Sequence, residues 1–418
     1  MKILWITNIL LPITSKLLNK PIPVGGGWIR SLAHELAGDK SINLAIATVY
    51  EGKDLIVHHE DGIQYFLLPQ KKPKYKYDSS LETKWLEVCR QFKPDLIHIH
   101  GTEYAPGLAC VNACTDYKYV VSIQGLISVC QNYYYAGLSP AKLLAHLTLN
   151  EIRTANPAFR EKMTTYQRGK IEVKYLKRCS HVIGRTFWDY SHVMSVNPGL
   201  KYHFCNEALR PGFYSGPRWT LENKKDYSIF LSQSYSPWKG LHQLLKAVSI
   251  VKTYYPGVHL RVAGNDITGG TKWIQRVNSY GAYIRKIIKQ LNLKDNVTFI
   301  GPLGDEGMAE EFRMAHVCVT PSAIENSPNS LGEAQIIGTP CVASFVGGVP
   351  DMVTDNVTGL LYRFDDHVVL AYKIIELFRN DELAQRISKN GMTAASERHD
   401  RAAIVARISE IYREISRG

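Results

Sequence analysis

The sequence predicts an α/β fold built from two doubly wound domains. Strand-like and helix-like segments alternate along most of the 418 residues, which is typical of parallel sheets with helical crossovers. A chain of this length can form two domains of about 200 residues each. The stretch from 206 to about 225 is rich in proline, glycine and charge, and it indicates a linker between the two domains.

The first predicted domain covers residues 1–205. Its short apolar segments are typical of buried parallel strands, with helical patterns between several of them. The long polar and aromatic stretch from Leu126 to Arg168 is expected to form helices and loops. The predicted strands are Lys2–Thr7, Asn43–Val49, Ile63–Leu68, Leu96–His100, Tyr119–Ile123 and His181–Gly184.

The second predicted domain covers residues 206–399, and a final helix follows it. That helix is indicated by Ile404, Ile408 and Ile411, which are apolar residues at helical spacing within 400–418. The predicted strands of the second domain are Tyr227–Ser232, Val258–Ala263, Asn296–Ile300, Val317–Thr320, Pro340–Ser344 and Gly359–Tyr362.

Two glutamates lie eight positions apart between neighbouring predicted strands of the second domain. Glu325 falls on a loop and Glu333 on the first turn of a short predicted helix, with Asn329 or Ser330 as N-cap and Gly338 as its end. Acidic residues also favour first helical turns for electrostatic reasons, so the spacing alone does not decide their role. However, a helix N-terminus at the carboxyl end of parallel strands suits a phosphate, and carboxylates accept hydrogen bonds from hydroxyls. This arrangement predicts a nucleotide-sugar ligand.

The segment from Val317 to Val353 resembles the donor-binding signature of retaining glycosyltransferases of family 4, which have the GT-B fold. Gly25-Gly26-Gly27, ahead of a helical pattern, is similar to the family's glycine loop. Lys239-Gly240 is similar to the family's phosphate-binding lysine at the opening of a helix. Gly184–Asp189 and Asn206–Pro211 resemble a subgroup that acts in surface-polysaccharide synthesis. The resemblance implies two Rossmann-like domains that face each other across a cleft, and a last helix that returns to the N-terminal domain.

The resemblance also implies roles for individual residues. Glu325 would contact the transferred sugar, Glu333 the ribose hydroxyls and Lys239 the leaving phosphate. Backbone N–H groups at the glycine loop and at the start of the helix would bind the phosphates. The predicted catalytic residues are Lys239, Glu325 and Gln124, and the predicted donor-binding residues are Gly26, Gly27, Ser234, Asn326, Ser327, Asn329, Ser330, Leu331 and Glu333.

The chain departs from the family pattern at two positions. Ser234 stands where relatives usually carry an arginine, five residues before the phosphate lysine, so half of the usual cationic clamp is absent or is supplied by Arg210 or Arg185. Gln124 stands where many relatives carry a histidine, and glutamine cannot act as a base near neutral pH. The pair His98 and His100 is an alternative, since period two places both on one face of a strand; a metal pair and polar strand-end residues both remain open. The acceptor-side candidates are His100, Arg185 and Arg210.

The sequence predicts a front-face reaction without a metal ion. No carboxylate is indicated as the nucleophile that double displacement would need, and no Asp-x-Asp motif follows a strand. We therefore expect no metal and no cofactor, only a UDP- or GDP-linked sugar as co-substrate. The eight cysteines are scattered without a Cys-x2-Cys pair and are expected to be reduced structural thiols.

The formal net charge is +12, and basic residues are concentrated between Lys142 and Arg185. Because no nucleic-acid-binding motif is present, we expect an anionic membrane surface and a lipid-linked or oligosaccharide acceptor; a solvated basic surface is the alternative. No long apolar stretch or leader is evident, which predicts a cytoplasmic protein, peripheral at the inner face of the membrane.

These observations predict a retaining, metal-independent hexosyltransferase of surface-polysaccharide or capsule biosynthesis. Alternatives are an epimerase or hydrolase of the same fold, or a non-catalytic nucleotide-sugar-binding protein. A nicotinamide oxidoreductase is disfavoured, because no Gly-x-Gly-x2-Gly directly follows the first predicted strand.

Overall fold

The computed structural model describes residues 1–21, 26–154, 158–269 and 277–417. The chain forms two compact units. Unit 1 comprises Met1–Val129, Thr164–Ala208 and His399–Gly418, and unit 2 comprises Cys130–Met163 and Leu209–Arg398. Each unit contains its own β-sheet.

Strands β1 to β8 belong to unit 1, and β9 to β14 belong to unit 2. In chain order they are β1 Lys2–Thr7, β2 Asn43–Tyr50, β3 Ile56–Glu60, β4 Ile63–Pro69, β5 Leu96–His100, β6 Tyr119–Ser122, β7 His181–Gly184, β8 Lys201–Phe204, β9 Ser228–Leu231, β10 His259–Ala263, β11 Val297–Gly301, β12 Val317–Thr320, β13 Cys341–Ser344 and β14 Leu360–Tyr362.

The α-helices lie between these strands and at the end of the chain. They are α1 Pro12–Leu17, α2 Gly27–Ala37, α3 Ser80–Phe92, α4 Pro106–Ala113, α5 Ile127–Cys130, α6 Pro140–Leu144, α7 Leu149–Thr154, α8 Ala158–Arg178, α9 Phe187–Val196, α10 Leu241–Tyr254, α11 Ser279–Gln290, α12 Asp305–Met314, α13 Asn329–Ile337, α14 His367–Arg379, α15 Asp381–Arg398 and α16 Arg401–Arg417. Short 3₁₀ helices occupy Gln131–Tyr133, Pro211–Phe213, Pro237–Lys239, Lys294–Asn296 and Val349–Asp351.

The sheet of unit 1 has the order β3-β4-β2-β1-β5-β6-β7-β8 and is parallel except for β3. Strand β1 is buried on both faces, as parallel strands covered by helices are. Leu4 and Ile6 pack into one apolar cluster, whereas Ile3 and Trp5 pack into another. The last helix, α16, covers the second face, where the Trp5 Nε1–H donates to the hydroxyl of Tyr412 at 2.8 Å. The sequence analysis placed this helix on the N-terminal domain, and it belongs to unit 1.

The sheet of unit 2 has the order β11-β10-β9-β12-β13-β14, and its strands pair in parallel. The predicted fold class is therefore confirmed for both units. All of the predicted strands form, within one or two residues at their ends. The sequence analysis did not predict β3 and β8, which lie at the two edges of the first sheet. Edge strands are half-exposed and polar, so they lack the continuous apolar run of a central strand.

Residues 130–163 belong to unit 2, whereas the predicted domain division placed everything before 206 in the N-terminal domain. This insertion packs on unit 2 because its polar groups are bonded there. The Nε2 of His242 lies 3.0 Å from the carbonyl oxygen of Ala136. The Thr148 hydroxyl donates to the carbonyl oxygen of Val277 at 2.9 Å. The insertion returns to unit 1 within helix α8.

The predicted linker also turns out to be packed structure. From Leu209 onward the chain belongs to unit 2. The buried side chain of Trp219 donates through Nε1–H to the carbonyl oxygen of Ala315 at 2.8 Å, and its backbone N–H donates to Ile337 at 2.8 Å. The proline- and glycine-rich composition marks a change of unit here, but not a loose connection.

The cysteines of the described residues are free thiols. Three of them, Cys89, Cys110 and Cys114, are buried between α3 and α4 with their Sγ atoms within 4.8 Å of one another. They pack in the apolar core of unit 1, as small hydrophobic residues do. Among the described helices, none is both long and apolar enough to cross a bilayer.

Candidate functional site

A buried ion pair lies beside the loop that follows β12. The ammonium of Lys239 donates to Oε1 of Glu325 at 2.6 Å, and the Ser322 hydroxyl donates to the same oxygen at 2.7 Å. The two charged side chains are only 10% and 12% exposed. Burial opposes the charge on Lys239, but the attraction of Glu325 outweighs it and raises the pKa of Lys239. Two residues predicted for the same reaction centre are therefore in direct contact.

Glycines on both sides of this pair fix its position. Gly240 has φ +75°, and a Cβ there would lie 1.7 Å from the carbonyl oxygen of Pro321. Gly347 has φ +52°, and a Cβ there would lie 1.9 Å from the carbonyl oxygen of Glu325. The N–H of Gly348 donates to that same carbonyl oxygen at 3.0 Å. Because no other residue fits at these two positions, the backbone holds both charged residues in place.

Helix α13 follows the Glu325 loop. Its N-cap is Pro328, one residue before the earlier of the two predicted N-cap positions, Asn329. It ends at Gly338, as predicted, in the left-handed conformation with φ +94° and an N–H bond to Ala334. The expectation that Glu333 lies on the first turn is wrong, since this residue lies on the second turn, where its side chain is buried.

A second buried ion pair involves Glu333. The guanidinium of Arg210 donates from Nε to Oε1 at 2.7 Å and from NH2 to Oε2 at 2.8 Å. Its NH1 donates to Asp305 at 2.9 Å, and its plane lies over the ring of Phe213 at 4.7 Å. Burial raises the pKa of Glu333, while Arg210 opposes that shift. Arg210 was predicted on the acceptor side, but it lies in unit 2 and holds the carboxylate predicted for the ribose.

The other predicted donor-binding residues of unit 2 lie on the Glu325 loop and on α13, except Ser234, which lies on the loop after β9. The hydroxyl of Ser327 lies 3.5 Å from the sulfur of Met352. The first N–H groups of a helix have no intrahelical partner, so the start of α13 can donate to a phosphate. The buried members of this set are Ser234, Asn326, Ser327 and Leu331, and the half-buried members are Asn329 and Ser330.

In unit 1 a polar cluster brings together two predicted residues and one that was not predicted. The side-chain amide of Gln124 donates to Oε1 of Glu207 at 2.5 Å. The NH1 of Arg185 donates to Oε2 of Glu207 at 2.5 Å, and its NH2 donates to the carbonyl oxygen of Gln124 at 3.0 Å. Glu207 lies within the Asn206–Pro211 segment, so its place in that motif was the available signal.

The predicted glycine loop opens helix α2. Gly26 is the N-cap, with φ +84°, and a Cβ there would lie 1.9 Å from the Cδ1 of Ile9. Gly27 is the first helical residue and is buried. Gly25 lies outside the described residues. The glycines therefore permit a close backbone approach at this helix N-terminus, as expected.

The two histidines of β5 lie on one face of the strand, as their spacing predicts. Their ring centroids are 3.8 Å apart. His98 is bonded on both nitrogens, to the hydroxyls of Tyr412 and Ser122 at 2.6 Å each, and burial lowers its pKa to about 3. Burial, with His98 beside it, holds the pKa of His100 well below its usual value. Within the described residues no hydrogen-bond partner reaches either ring nitrogen of His100, which packs against the ring of Trp5 at 4.3 Å.

A buried carboxylate that was not predicted lies in the same unit. Glu172 on α8 accepts from the Thr102 hydroxyl at 2.6 Å, and from the backbone and hydroxyl of Ser128 at 2.8 and 2.6 Å. Burial raises its pKa to about 7, although these donors oppose the shift. No sequence motif distinguishes this glutamate from the exposed acidic residues of the chain.

The family assignment rests on the segment that contains both ion-paired glutamates. Residues 217–393 match the sequence profile of the family described as glycosyl transferases group 1. These residues are a glycosyl transferases group 1 domain. The chain is 32% identical over 210 residues to the D-inositol 3-phosphate glycosyltransferase of Streptomyces griseus subsp. griseus, covering 48% of this chain and 44% of that protein. The chain spans about a third to a half of the length of the curated relatives it matches.

Solved structures of low sequence identity share the fold of this chain. Sucrose-phosphate synthase from Thermosynechococcus elongatus matches with a TM-score of 0.72 at 19% identity, covering 99% of each chain. Anabaena Alr3699/HepE in complex with UDP-glucose matches with a TM-score of 0.66 at 17% identity, covering 99% of this chain and all of the other. At these identities the likeness concerns the fold, and it confirms the predicted GT-B class.

Proposed function

We propose that this group 1 chain is a retaining glycosyltransferase. It would move a sugar from a UDP- or GDP-linked donor to a lipid-linked or oligosaccharide acceptor in surface-polysaccharide biosynthesis. The observation that carries the proposal is the Lys239–Glu325 pair, which is buried beside the N-terminus of α13. The UDP-glucose complex of Alr3699/HepE, which has the same fold, supports a nucleotide-sugar as the donor.

In this proposal the donor rearranges the Lys239–Glu325 pair. Each buried charge of this pair is compensated by the other. A diphosphate at the start of α13 would take Lys239 as its counter-charge, and the helix N–H groups would add further donors. Glu325 could then accept hydrogen bonds from the hydroxyls of the transferred sugar. Lys239 would stabilise the negative charge that develops on the departing diphosphate.

Glu333 would bind the ribose hydroxyls while Arg210 holds it. The bidentate contact uses one bonding direction on each carboxylate oxygen, and each oxygen can accept a second hydrogen bond. Arg210 also opposes the rise in the pKa of the buried carboxylate, and this favours the charged form, which makes stronger hydrogen bonds to hydroxyl donors. The pair thus supplies a rigid acceptor for a cis-diol without carrying an uncompensated charge.

The proposed reaction is a front-face displacement. The bond between the anomeric carbon and the phosphate oxygen breaks, a bond from the acceptor oxygen to the same carbon forms, and the leaving phosphate takes the acceptor's proton. Retention of the anomeric configuration is the expected product geometry, and an inverted product would refute this mechanism. We propose that no metal is needed, so that turnover persists in the presence of a chelator.

The proposed acceptor and location rest on charge. The chain carries +12 overall, and its basic residues would attract anionic headgroups at the inner face of the membrane. A second candidate acceptor is a small polar molecule, which is favoured by the similarity to the D-inositol 3-phosphate glycosyltransferase of Streptomyces griseus. An epimerase or hydrolase would use the same donor site but would need no acceptor.

The proposed function is tested by donor turnover. A panel of UDP- and GDP-sugars is incubated with the full chain, with and without lipid-linked and soluble acceptors, and nucleoside diphosphate release is measured. Release that depends on acceptor, with a glycosylated product, is expected for one donor. Release without any acceptor would favour a hydrolase. Binding without any release would favour a non-catalytic binding protein.

A further inference from the structure

Helices α6 and α7 of unit 2 carry an exposed apolar patch, which we call the leucine patch. It consists of Leu144, Leu147, Leu149 and Ile152. Their exposed fractions are 56%, 40%, 83% and 65% in that order. Single exposed apolar side chains are normal on protein surfaces, but four within nine residues form a cluster that needs an explanation.

The segment is held to unit 2 by its polar side chains, so the usual arrangement of an amphipathic helix is reversed. Glu151 is buried, and its Oε1 accepts from the hydroxyl of Ser279 at 3.0 Å. The hydroxyl of Thr148 donates to the carbonyl oxygen of Val277 at 2.9 Å. Leu143 packs in the core of the unit. Because these contacts fix the inward face of the segment, the leucine patch faces the solvent.

The surface beside the leucine patch is basic. Helix α11, which packs against α6, exposes Arg285, Lys286 and Lys289 and contains no acidic residue. Lys142 on α6 is exposed as well. The acidic side chain of α7, Glu151, is buried and hydrogen-bonded, and the exposed acid closest in sequence is Glu161 on α8. Apolar side chains next to lysine and arginine are the composition of a surface that lies on an anionic bilayer.

We propose that the leucine patch docks on a membrane rich in anionic lipid, with Leu149 and Ile152 entering the boundary between headgroups and acyl chains. The basic side chains of α11 would contact the headgroups at the same time. Since none of the described helices can span a bilayer, the attachment would be reversible and interfacial. This inference rests on the proposed function, which includes a lipid-linked acceptor. It deepens that function by naming the surface that would bring the enzyme to the acceptor.

A second copy of the chain fits the leucine patch less well. In a two-fold symmetric contact the same patch meets itself. Arg285, Lys286 and Lys289 of both copies would then border one shared interface, and the accumulated positive charge disfavours association. An anionic lipid surface removes that repulsion and covers the apolar side chains as well.

Vesicle co-sedimentation of the full chain tests this proposal. Vesicles of phosphatidylcholine alone are compared with vesicles that hold about 30% phosphatidylglycerol, at ~0.1 M and ~0.5 M salt. Binding is expected on the anionic vesicles only, and it should weaken at high salt. Leu149→Ser with Ile152→Ser should reduce the partition coefficient roughly a hundredfold. Lys286→Ala with Lys289→Ala should reduce it by about thirtyfold, since each cation near the surface adds roughly fivefold.

The matched control is Val368→Ser with Val369→Ser, because these residues of α14 are 46% and 39% exposed and lie away from the patch in sequence. This control should bind vesicles like the wild type. Circular dichroism and melting curves check that each variant folds. Transfer to a soluble acceptor should persist in the Leu149→Ser, Ile152→Ser variant, so that a failure of the proposed function and a failure of docking are distinguishable.

Three outcomes would overturn the docking proposal. The wild-type chain could fail to bind anionic vesicles. The Leu149→Ser, Ile152→Ser variant and the Lys286→Ala, Lys289→Ala variant could both bind as tightly as the wild type. Finally, mass photometry could show a dimer that separates on Leu149→Ser and Ile152→Ser without any vesicle binding, which would make the patch an interface between copies of this chain.

Discussion

The predicted site residues of the two units differ in how they handle charge. In unit 2, Lys239 pairs with Glu325 and Arg210 with Glu333, so full charges are buried and compensated. In unit 1, Arg185 pairs with Glu207, but the other two candidates are uncharged: Gln124 is an amide, and burial holds the pKa of His100 well below its usual value. We infer from this difference that the diphosphate of the donor would bind at unit 2 and that the uncharged candidates of unit 1 would bind hydroxyl groups. It also fits a reaction in which the leaving phosphate accepts the proton.

Among the tests of this comparison, Lys239→Ala is expected to have the largest effect, which is on the rate of transfer. The substitution removes the proposed counter-charge of the leaving diphosphate, and transfer should fall by roughly a thousandfold. The measurement is the rate of nucleoside diphosphate release at saturating donor. Lys252→Ala is the matched control and should behave like the wild type, because this lysine lies in the last turn of α10 and donates to the carbonyl oxygen of Asn292 at 2.7 Å. A Lys239→Ala enzyme within threefold of the wild type would remove the charge-based distinction between the units.

The next effect concerns stability and the carboxylate buried in unit 1. Glu172 has its pKa raised to about 7 from an ordinary 4.5. Between these values the folded chain keeps the proton that the unfolded chain loses, so the free energy of unfolding falls as pH rises. Relative to wild type, Glu172→Gln should gain about 3 kcal/mol between pH 4.5 and pH 7. Urea unfolding at several pH values measures this. Glu161→Gln, an exposed position on the same helix, should show no such trend.

A smaller effect is expected when one charge is taken from the second pair of unit 2. Glu333→Gln keeps the shape of the side chain but leaves Arg210 with Asp305 as its remaining carboxylate partner. The free energy of unfolding should fall by about 2 kcal/mol, because a buried guanidinium loses its bidentate partner. Affinity for the nucleoside diphosphate should fall by about tenfold, since an amide accepts fewer hydrogen bonds from the ribose than a carboxylate does. Denaturant unfolding and calorimetric titration measure the two changes separately.

The smallest effect is expected in unit 1. Gln124→Ala removes a neutral hydrogen-bonding group, so kcat/KM for the acceptor should fall by about tenfold while donor affinity stays unchanged. The test is steady-state kinetics with acceptor varied, beside a titration with nucleoside diphosphate. A loss of nucleotide affinity as large as that of the Glu333 variant would break the proposed division between the two units.

The sequence predicted the central strands well, because a run such as Val317–Thr320 is buried on both faces and therefore apolar throughout. It missed the edge strand Ile56–Glu60, which pairs on one side and carries two histidines and a glutamate. It also placed the insertion 130–163 in the wrong unit. The contacts that decide its place join residues more than a hundred positions apart, such as His242 and Ala136.

The site was predicted residue by residue, but not pair by pair. Lys239 and Glu325 were recognised from separate motifs, while their contact spans 86 positions and needs the packed sheet. Arg210 was expected on the acceptor side because no motif near it in the sequence indicates a contact with Glu333, which lies 123 positions away. Buried Glu172 and the Glu207 of the unit 1 cluster were not predicted, since burial and partners are properties of the fold.

The central claim, that the Lys239–Glu325 pair is a preformed phosphate site, is tested most directly by calorimetric titration of wild type, Lys239→Ala and Glu325→Gln with UDP and GDP. One nucleotide should bind the wild type, and Lys239→Ala should weaken that binding at least about tenfold. Glu325→Gln should keep or improve the affinity while abolishing sugar transfer, because Glu325 competes with the diphosphate for the lysine. Equal affinity in all three proteins, or a loss in Glu325→Gln as large as in Lys239→Ala, would contradict the account.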